Sequence, residues 1–184
     1  MPAQISPNEL NQYVAHFRKD QKPPNLMNAN LAGLDLTQTD FSQALLLFAN
    51  LAQAQLNQAD FRRADMRWAK FPGAQLLQAL LQNANLAFAD LTSAMLSSCN
   101  LQRANLYRTK LNNADLSQAD LSHAFLRRAD LTGADLTGAN LANSNLEKCI
   151  LTNAKVTLEQ LLSAGTLTDA VLPSNIRLDD LKAE

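Results

Sequence analysis

Apolar residues recur at every fifth position along most of the chain. Between residues 26 and 156 this position is apolar in all 27 cases, and 22 of these residues are Leu. The residue two places before it is Ala in 20 of 26 cases, and the residue between the two is Asp or Asn in 16 of 26. No insertion or deletion shifts this phase, so the chain is a tandem array of five-residue repeats.

A period of five fits neither a strand, whose side chains repeat every two residues, nor an α-helix, which repeats every 3.6. A coil that turns one corner per repeat would keep every Leu inside. The small Ala would also point inward, and the other three positions would face water. Successive turns are then expected to stack about 4.8 Å apart through parallel backbone hydrogen bonds.

The repeat sequence resembles that of a known family. Residues 131–142 (LTGADLTGANLA) and 111–121 (LNNADLSQADL) are similar to the A(D/N)LXX pattern of pentapeptide-repeat proteins, in the style of the cyanobacterial members. The resemblance implies an all-β fold, a right-handed quadrilateral parallel β-helix with four repeats per coil. It also implies short helical caps at both ends.

The N-terminal residues predict one of these caps. Ser6 and Glu9 have capping-box spacing, and Pro7 suits the first helical position. Apolar residues follow at helical spacing, so we expect a helix over residues 7–19. A cap would cover the unpaired edge of the stack. Residues 1–25 are therefore interpreted as a capping helix with its linker, before a repeat coil at 26–156.

Residues 157–184 are interpreted as a second capping helix followed by a tail. Thr157 can cap a helix from Leu158 to about residue 164. Residues 167–173 (LTDAVLP) look like a partial extra repeat, and the polar residues 174–184 are expected to be mobile.

Composition and chemistry argue against an enzyme. The formal net charge is −1, so no global field draws the chain to nucleic acid or an anionic membrane. Cys99 and Cys149 occupy inward Ala-type positions on different faces, which predicts buried, inert thiols and no disulfide. Neither His16 nor His123 has a catalytic constellation around it. We expect no catalytic residue, cofactor or metal.

The sequence also predicts a cytoplasmic location. No apolar run suits a signal peptide, and none approaches the length that spans a bilayer. No contact with a membrane is expected.

Aligning residues twenty apart separates four faces, which we number by their first central residues: Leu26 (face one), Leu31 (two), Leu36 (three) and Phe41 (four). Face two is small and polar and includes Pro72-Gly73, a type II turn sequence. Face three carries a Gln column, interpreted as a solvated amide ladder. Face four carries Arg62, Arg63, Arg103 and His123 beside Asp40, Asp60 and Asp120, and neighbouring charges are expected to offset one another.

Face one differs from the rest, because the second residue after each centre forms an aromatic run followed by a basic run. Exposed aromatic and Arg side chains are typical of protein interfaces. The predicted partner-binding residues are Leu45, Leu47, Phe48, Arg67, Trp68, Phe88, Tyr107, Arg108, Phe125, Arg127, Arg128 and Lys148.

These residues favour a non-enzymatic scaffold or regulator that binds another protein through face one. Alternatives remain open: the side chains merely cover the corners of the coil, or they form a homodimer. Some family members mimic B-form DNA and protect a topoisomerase (gyrase). That function needs a strongly acidic rod, whereas residues 26–156 carry ten acidic and eleven basic side chains. Nucleic-acid binding through Arg108 and Arg128 would be weak and salt-sensitive, and is not expected.

Overall fold

A computed structural model describes residues 6–19 and 22–176. These residues form two helices, α1 (Pro7–Lys19) and α2 (Leu158–Leu162), with a regular coil between them. Each side of the coil contributes one residue that pairs in parallel with the residue twenty positions later, from Asn25 with Leu45 to Asp135 with Lys155. Four repeats therefore complete one turn. In the described part of the chain, the parallel pairing consists of single-residue bridges and not of longer strands.

The core runs along the axis of the coil. All 27 central positions between residues 26 and 156 are buried, most of them fully, and nearly all of the inward Ala positions are buried with them. Phe41 and Phe61 stack on each other with ring centres 5.0 Å apart and planes 13° from parallel. Each buried apolar side chain contributes about 1.5–3 kcal/mol before conformational entropy is subtracted.

Backbone hydrogen bonds account for four of the five N–H groups in a repeat. In the repeat 101–105, the N–H groups of Leu101 and Arg103 donate to carbonyls of the next coil at 2.7 and 3.1 Å. The N–H of Asn105 donates to the preceding coil at 2.9 Å, and that of Ala104 closes a turn onto the Leu101 carbonyl at 3.0 Å. One N–H per repeat, on the residue after the centre, is left over.

The Asp or Asn of the repeat accepts this remaining N–H. Asn100 Oδ1, for example, accepts the N–H of Gln102 at 3.1 Å. All 16 Asp and Asn residues at this position make the equivalent bond, as Asx turns do. Where Lys70 replaces the acceptor, Pro72 has no N–H to donate. A repeat with Asp or Asn at this position therefore pairs all five of its backbone N–H groups.

Each corner is a type II turn, whose third residue needs a positive φ. The second residue after every centre, at positions 28–153, has a φ between 54° and 69°. Only four of these residues are Gly, and none is β-branched, because a branched Cβ clashes in the left-handed region. We call this the left-handed corner position.

Helix α1 covers the first coil. The hydroxyl of Ser6 and the carboxylate of Glu9 exchange capping bonds with each other's backbone N–H at 3.3 and 2.9 Å. Leu10 and Val14 are buried against the core, and the Tyr13 hydroxyl donates to the Asn25 carbonyl at 2.9 Å. The helix thus shields the apolar end of the stack from water.

Helix α2 replaces the face-four side of the last coil. Leu161 is fully buried, and Gln160 Nε2 donates to the carbonyls of Leu136 and Ala139 at 2.7 and 2.8 Å. Pairing then resumes at Thr166 with Asn145, a separation of 21 because α2 adds one residue. The extra repeat expected at 167–173 therefore stacks on the coil, and residues 177–184 of the expected mobile tail lie outside the described residues.

Candidate protein-docking surface on face one

Six of the left-handed corner residues between faces one and two form an outward ridge. We call this set the face-one ridge: Phe48, Trp68, Phe88, Arg108, Arg128 and Lys148. Each residue is twenty positions from the next, so the parallel register of the coil stacks them in one column. The predicted order, three aromatic coils followed by three basic coils, is therefore a continuous surface feature.

The aromatic half of the ridge is a ring ladder. The rings of Trp68 and Phe88 are stacked with centres 4.2 Å apart and planes 3° from parallel, and Phe48 continues the ladder at 6.4 Å and 15°. Tyr107 closes the upper end, edge-on to Phe88 at 5.4 Å. Phe48 and Trp68 nevertheless remain about half exposed, at 51% and 47%.

The stacking determines which part of each ring reaches solvent. Trp68 and Phe88 lie one coil apart, so the line between their centres follows the coil axis and their faces point at each other. The outer rim of the Trp68–Phe88 stack therefore consists of ring edges, which carry the positive side of the aromatic quadrupole.

The basic half of the ridge begins where the ladder ends. The Arg108 guanidinium lies over the Tyr107 ring at 5.5 Å, a cation–π contact, and Arg108 makes no ion pair with the described residues. Arg128 also makes no ion pair with the described residues. Lys148 lies 3.6 Å from Glu147 and 3.7 Å from Asp169, so its charge is partly offset.

Two arginines of the predicted set are tied to carboxylates. Arg67 bonds to Asp65 at 2.7 and 2.8 Å, which raises the pKa of its guanidinium above the ordinary value. Arg127 pairs with Glu147 at 3.1 Å. Both follow a central residue directly, where a neighbouring carboxylate can reach them.

The three remaining aliphatic and aromatic members lie beside the ridge. Leu45 and Leu47 are half-buried, whereas Phe125 is 54% exposed. Phe125 stands where the repeat normally has Asp or Asn, so a large apolar group replaces the usual hydrogen-bond acceptor.

Phe125 contributes to a shallow groove of about 660 Å³ on the flat of face one. Tyr107 and Arg127 border it on the ridge side, and Arg103 borders it on the opposite side. The remaining lining residues are small or carry amides, and none is acidic. Sequence reasoning missed Arg103 here, because it was assigned to face four, although its left-handed corner position places it at the edge shared with face one.

The expected charge balance on face four is only partly found. Arg62 makes a bidentate pair with Asp60, but Arg63 and Arg103 make no ion pair with the described residues. Arg62 lies two residues after its aspartate, whereas the left-handed corner carries Arg63 and Arg103 away from it. On face three the amides of Gln38, Gln58 and Gln78 form the ladder expected there, with bonds of 2.8 and 3.2 Å.

The two thiols are not available for chemistry. Cys99 and Cys149 are free and buried, and their Sγ atoms donate to carbonyls of the preceding coil at 2.7 Å. Burial raises the pKa of each thiol to about 12. Within residues 6–19 and 22–176, no three His, Cys, Asp or Glu side chains are grouped as metal ligands, and no helix is long and apolar enough to cross a bilayer.

Comparison with known proteins gives a consistent family match. The model of pentapeptide repeats matches in eight copies, over residues 25–63, 59–97, 99–138 and 114–153. No curated protein sequence matches the chain significantly. The expected right-handed quadrilateral β-helix with a helical cap at each end is confirmed.

Several solved structures are similar. HetL, a pentapeptide repeat protein involved in heterocyst differentiation regulation from the cyanobacterium Nostoc sp. strain PCC 7120, is 33% identical, with a TM-score of 0.21, and the match covers 80% of this chain and 82% of HetL. QnrB1, a plasmid-mediated fluoroquinolone resistance protein, is 22% identical over 82% of this chain and 83% of QnrB1, with a TM-score of 0.39. A pentapeptide repeat protein of the Arabidopsis thaliana thylakoid lumen is 24% identical over 84% and 91%, with a TM-score of 0.33.

Proposed function

Because the chain belongs to the pentapeptide-repeat family, we propose that it is a non-enzymatic scaffold or regulator that binds a partner protein through face one. Pentapeptide-repeat proteins are in general structural or interaction proteins without enzymatic activity. The partner contacts the face-one ridge and the flanking residues Leu45, Leu47, Tyr107 and Phe125. A cytoplasmic location and a cyanobacterial-like origin remain predictions from the sequence.

The observation that carries the proposal is the run of aromatic residues at left-handed corners. Phe48, Trp68 and Phe88 have φ values of 58°, 61° and 63°. Bulky residues are rare in this region, which costs an L-residue about 1–2 kcal/mol, while Gly and Asn adopt it readily. Of the 23 other corners, 17 use Gly, Asn, Gln or Ser and six use Arg, His or Lys, but none is aromatic in the manner of Phe or Trp. Since every corner of the coil has a positive φ, the bulk of these three side chains distinguishes them, and large exposed aromatic groups are typical of binding surfaces.

The carboxylates do not support the alternative of a DNA-mimicking topoisomerase inhibitor. Such mimicry needs a strongly acidic rod. Here all nine aspartates between residues 26 and 156 accept a backbone N–H of their own chain, and Glu147 pairs with Arg127. These acidic groups stabilise the coil, and the eleven basic side chains of residues 26–156 balance their ten negative charges.

A double variant tests the proposal. Trp68→Asn with Arg108→Asn removes one aromatic and one basic member of the ridge, and Asn is well suited to the left-handed region at both positions. We expect the variant to keep the coil, as measured by far-ultraviolet circular dichroism. It should lose partners that the parent chain captures in pull-downs and in photo-crosslinking from the ridge.

Gln78→Asn with Gln118→Asn is the matched control. Both glutamines have left-handed φ values, of 57° and 58°, and they are exposed at the corner between faces three and four, opposite the ridge. The control should retain every partner. An unchanged set of partners for the Trp68 and Arg108 variant would refute the proposal.

A further inference from the structure

Every coil arginine that makes no ion pair with the described residues borders face one. Of the seven arginines in the coil, those tied to carboxylates are Arg62, Arg67 and Arg127. The four others make no ion pair with the described residues and all occupy left-handed corners. Arg63 and Arg103 lie at the corner between faces four and one, and Arg108 and Arg128 lie at the corner between faces one and two.

On the surface between these two corners, each described carboxylate is already paired with a basic side chain. Asp65 accepts bonds from Arg67, and Glu147 pairs with Arg127 and Lys148. The other residues that precede the central residues of face one are asparagines apart from Leu45 and Phe125. Face one is therefore positive along both edges, although the coil as a whole is nearly neutral.

The aromatic ladder adds to this field. Trp68 and Phe88 are stacked along the coil axis, so their positive edges face outward beside the guanidinium groups. Ring edges favour contact with carboxylates and with the faces of other aromatic rings. The ladder, Arg103 and Arg108 thus present the same preference to a partner.

We propose that the partner of face one is an acidic protein segment that also carries aromatic or aliphatic side chains. Its carboxylates pair with the guanidiniums of Arg103, Arg108 and Arg128, and its apolar side chains cover Phe125 and the ladder. The inference rests on the proposed function and adds the chemistry of the partner.

A protein segment fits these features better than a nucleic acid does. Contacts to phosphates supply most of the affinity for nucleic acid and weaken steeply with salt, and the four unpaired guanidiniums of face one provide few such contacts. Exposed Trp and Arg in one patch are typical of protein hot spots. Acidic partners of charged surfaces also associate faster at low salt, which gives the experiment a second readout.

The test selects ligands from a random peptide library displayed on phage, with the full chain immobilised. A triple variant, Arg103→Asn with Arg108→Asn and Arg128→Asn, keeps the ladder and places Asn at left-handed corners. We expect selected peptides to be rich in Asp and Glu next to aromatic residues or Leu. They should bind the triple variant at least about tenfold more weakly, and more weakly still in about 1 M salt than in about 0.1 M. Gln78→Asn with Gln118→Asn should bind them normally.

Several outcomes would overturn the inference. Selected peptides without acidic residues, or equal binding to the triple variant, would remove the charge argument. Single-stranded or duplex DNA that binds more tightly than the peptides at equal salt would identify a nucleic-acid surface. A concentration-dependent dimer in sedimentation, lost in the triple variant, would identify a second copy of this chain as the occupant.

Failure of the inference can be distinguished from failure of the proposed function. Peptides that depend on Trp68 and Arg108 but lack carboxylates would leave face one as the docking surface and remove only its acidic specificity. If no selected peptide distinguishes the Trp68→Asn and Arg108→Asn variant from the parent chain, both fail.

Discussion

Two inward-facing hydroxyl groups test how a buried polar group changes the stability of the narrow core. Thr109 and Ser144 both replace the small Ala of the repeat and are buried, at 1% and 0% exposed. Thr109 Oγ1 donates to the Leu86 carbonyl of the preceding coil at 2.8 Å, whereas Ser144 Oγ has no hydrogen-bond partner. Substitution by Ala should therefore change stability in opposite directions at these two positions.

The magnitudes follow from the contacts. Ser144→Ala removes a buried hydroxyl whose unmet hydrogen bond costs about 1–3 kcal/mol, and the repeat accepts Ala there in 20 of 26 cases. Thr109→Ala loses a hydrogen bond worth about 0.5–1.5 kcal/mol and a buried methyl group worth about 0.8 kcal/mol. We expect a gain of about 1 kcal/mol or more for Ser144→Ala and a loss of about 1–2 kcal/mol for Thr109→Ala.

Thermal unfolding followed by circular dichroism measures both changes. In a chain of this size, 1 kcal/mol shifts the Tm by about 2–4 °C. Because repeat proteins can unfold locally, hydrogen exchange of the coils around residues 109 and 144 should show the same signs. A lower Tm for Ser144→Ala would refute the reasoning that its hydroxyl is an uncompensated polar group.

Three further predictions concern the core, the acid stability and the thiols. Leu101→Asp places a charge at a fully buried centre and should abolish cooperative unfolding of the central coils, whereas Met95→Asp, at a residue 54% exposed, should leave circular dichroism unchanged. The hydrogen bond from Lys155 lowers the pKa of Asp135 to about 2. The ionised Asp135 therefore stabilises the folded chain at any pH above its ordinary pKa near 4. It is lost as the pH falls from about 4 to about 2, and Asp135→Asn should flatten the pH dependence of the Tm in that window. Cys99, whose burial raises the pKa of the thiol to about 12, should react with a thiol reagent only after unfolding.

The repeat phase was enough to predict the coil and its columns. One uninterrupted period placed Leu inside, and the family resemblance supplied the four-sided coil of twenty residues. Together they placed Trp68 directly above Phe48, and the structure has both features. Composition at the left-handed corners also carried a signal that was not used: the absence of Val, Ile and Thr from 26 successive positions indicates a positive φ.

Other features depend on geometry that the period does not contain. Whether stacked rings present edges or faces is set by side-chain rotation, so the orientation of Trp68 and Phe88 could not be predicted. Arg103 makes no ion pair with the described residues because a left-handed corner directs its side chain away from the neighbouring aspartates. The extra residue in α2 was visible only as a change of phase, with Leu167 where the strict repeat has residue 166.

At Phe48, a substitution can distinguish an aromatic residue that serves binding from one that serves the stability of the fold. Its ring is half exposed and lies 6.4 Å from Trp68, so burial contributes about half of the usual 1.5–3 kcal/mol. Its left-handed φ of 58° costs about 1 kcal/mol, which Asn would largely avoid. These terms offset each other, and Phe48→Asn should therefore change the free energy of unfolding by less than about 1 kcal/mol.

Binding should respond differently to the same substitution, because Phe48 exposes an apolar edge that Asn cannot replace. We expect Phe48→Asn to weaken partner binding at least about tenfold, as measured by titration calorimetry with a ligand of face one, while urea unfolding stays close to that of the parent chain. Gln53→Asn, at another left-handed corner, should alter neither property. A large loss of stability with unchanged binding would mean that the ladder serves the coil and that the strain at this corner has a structural origin.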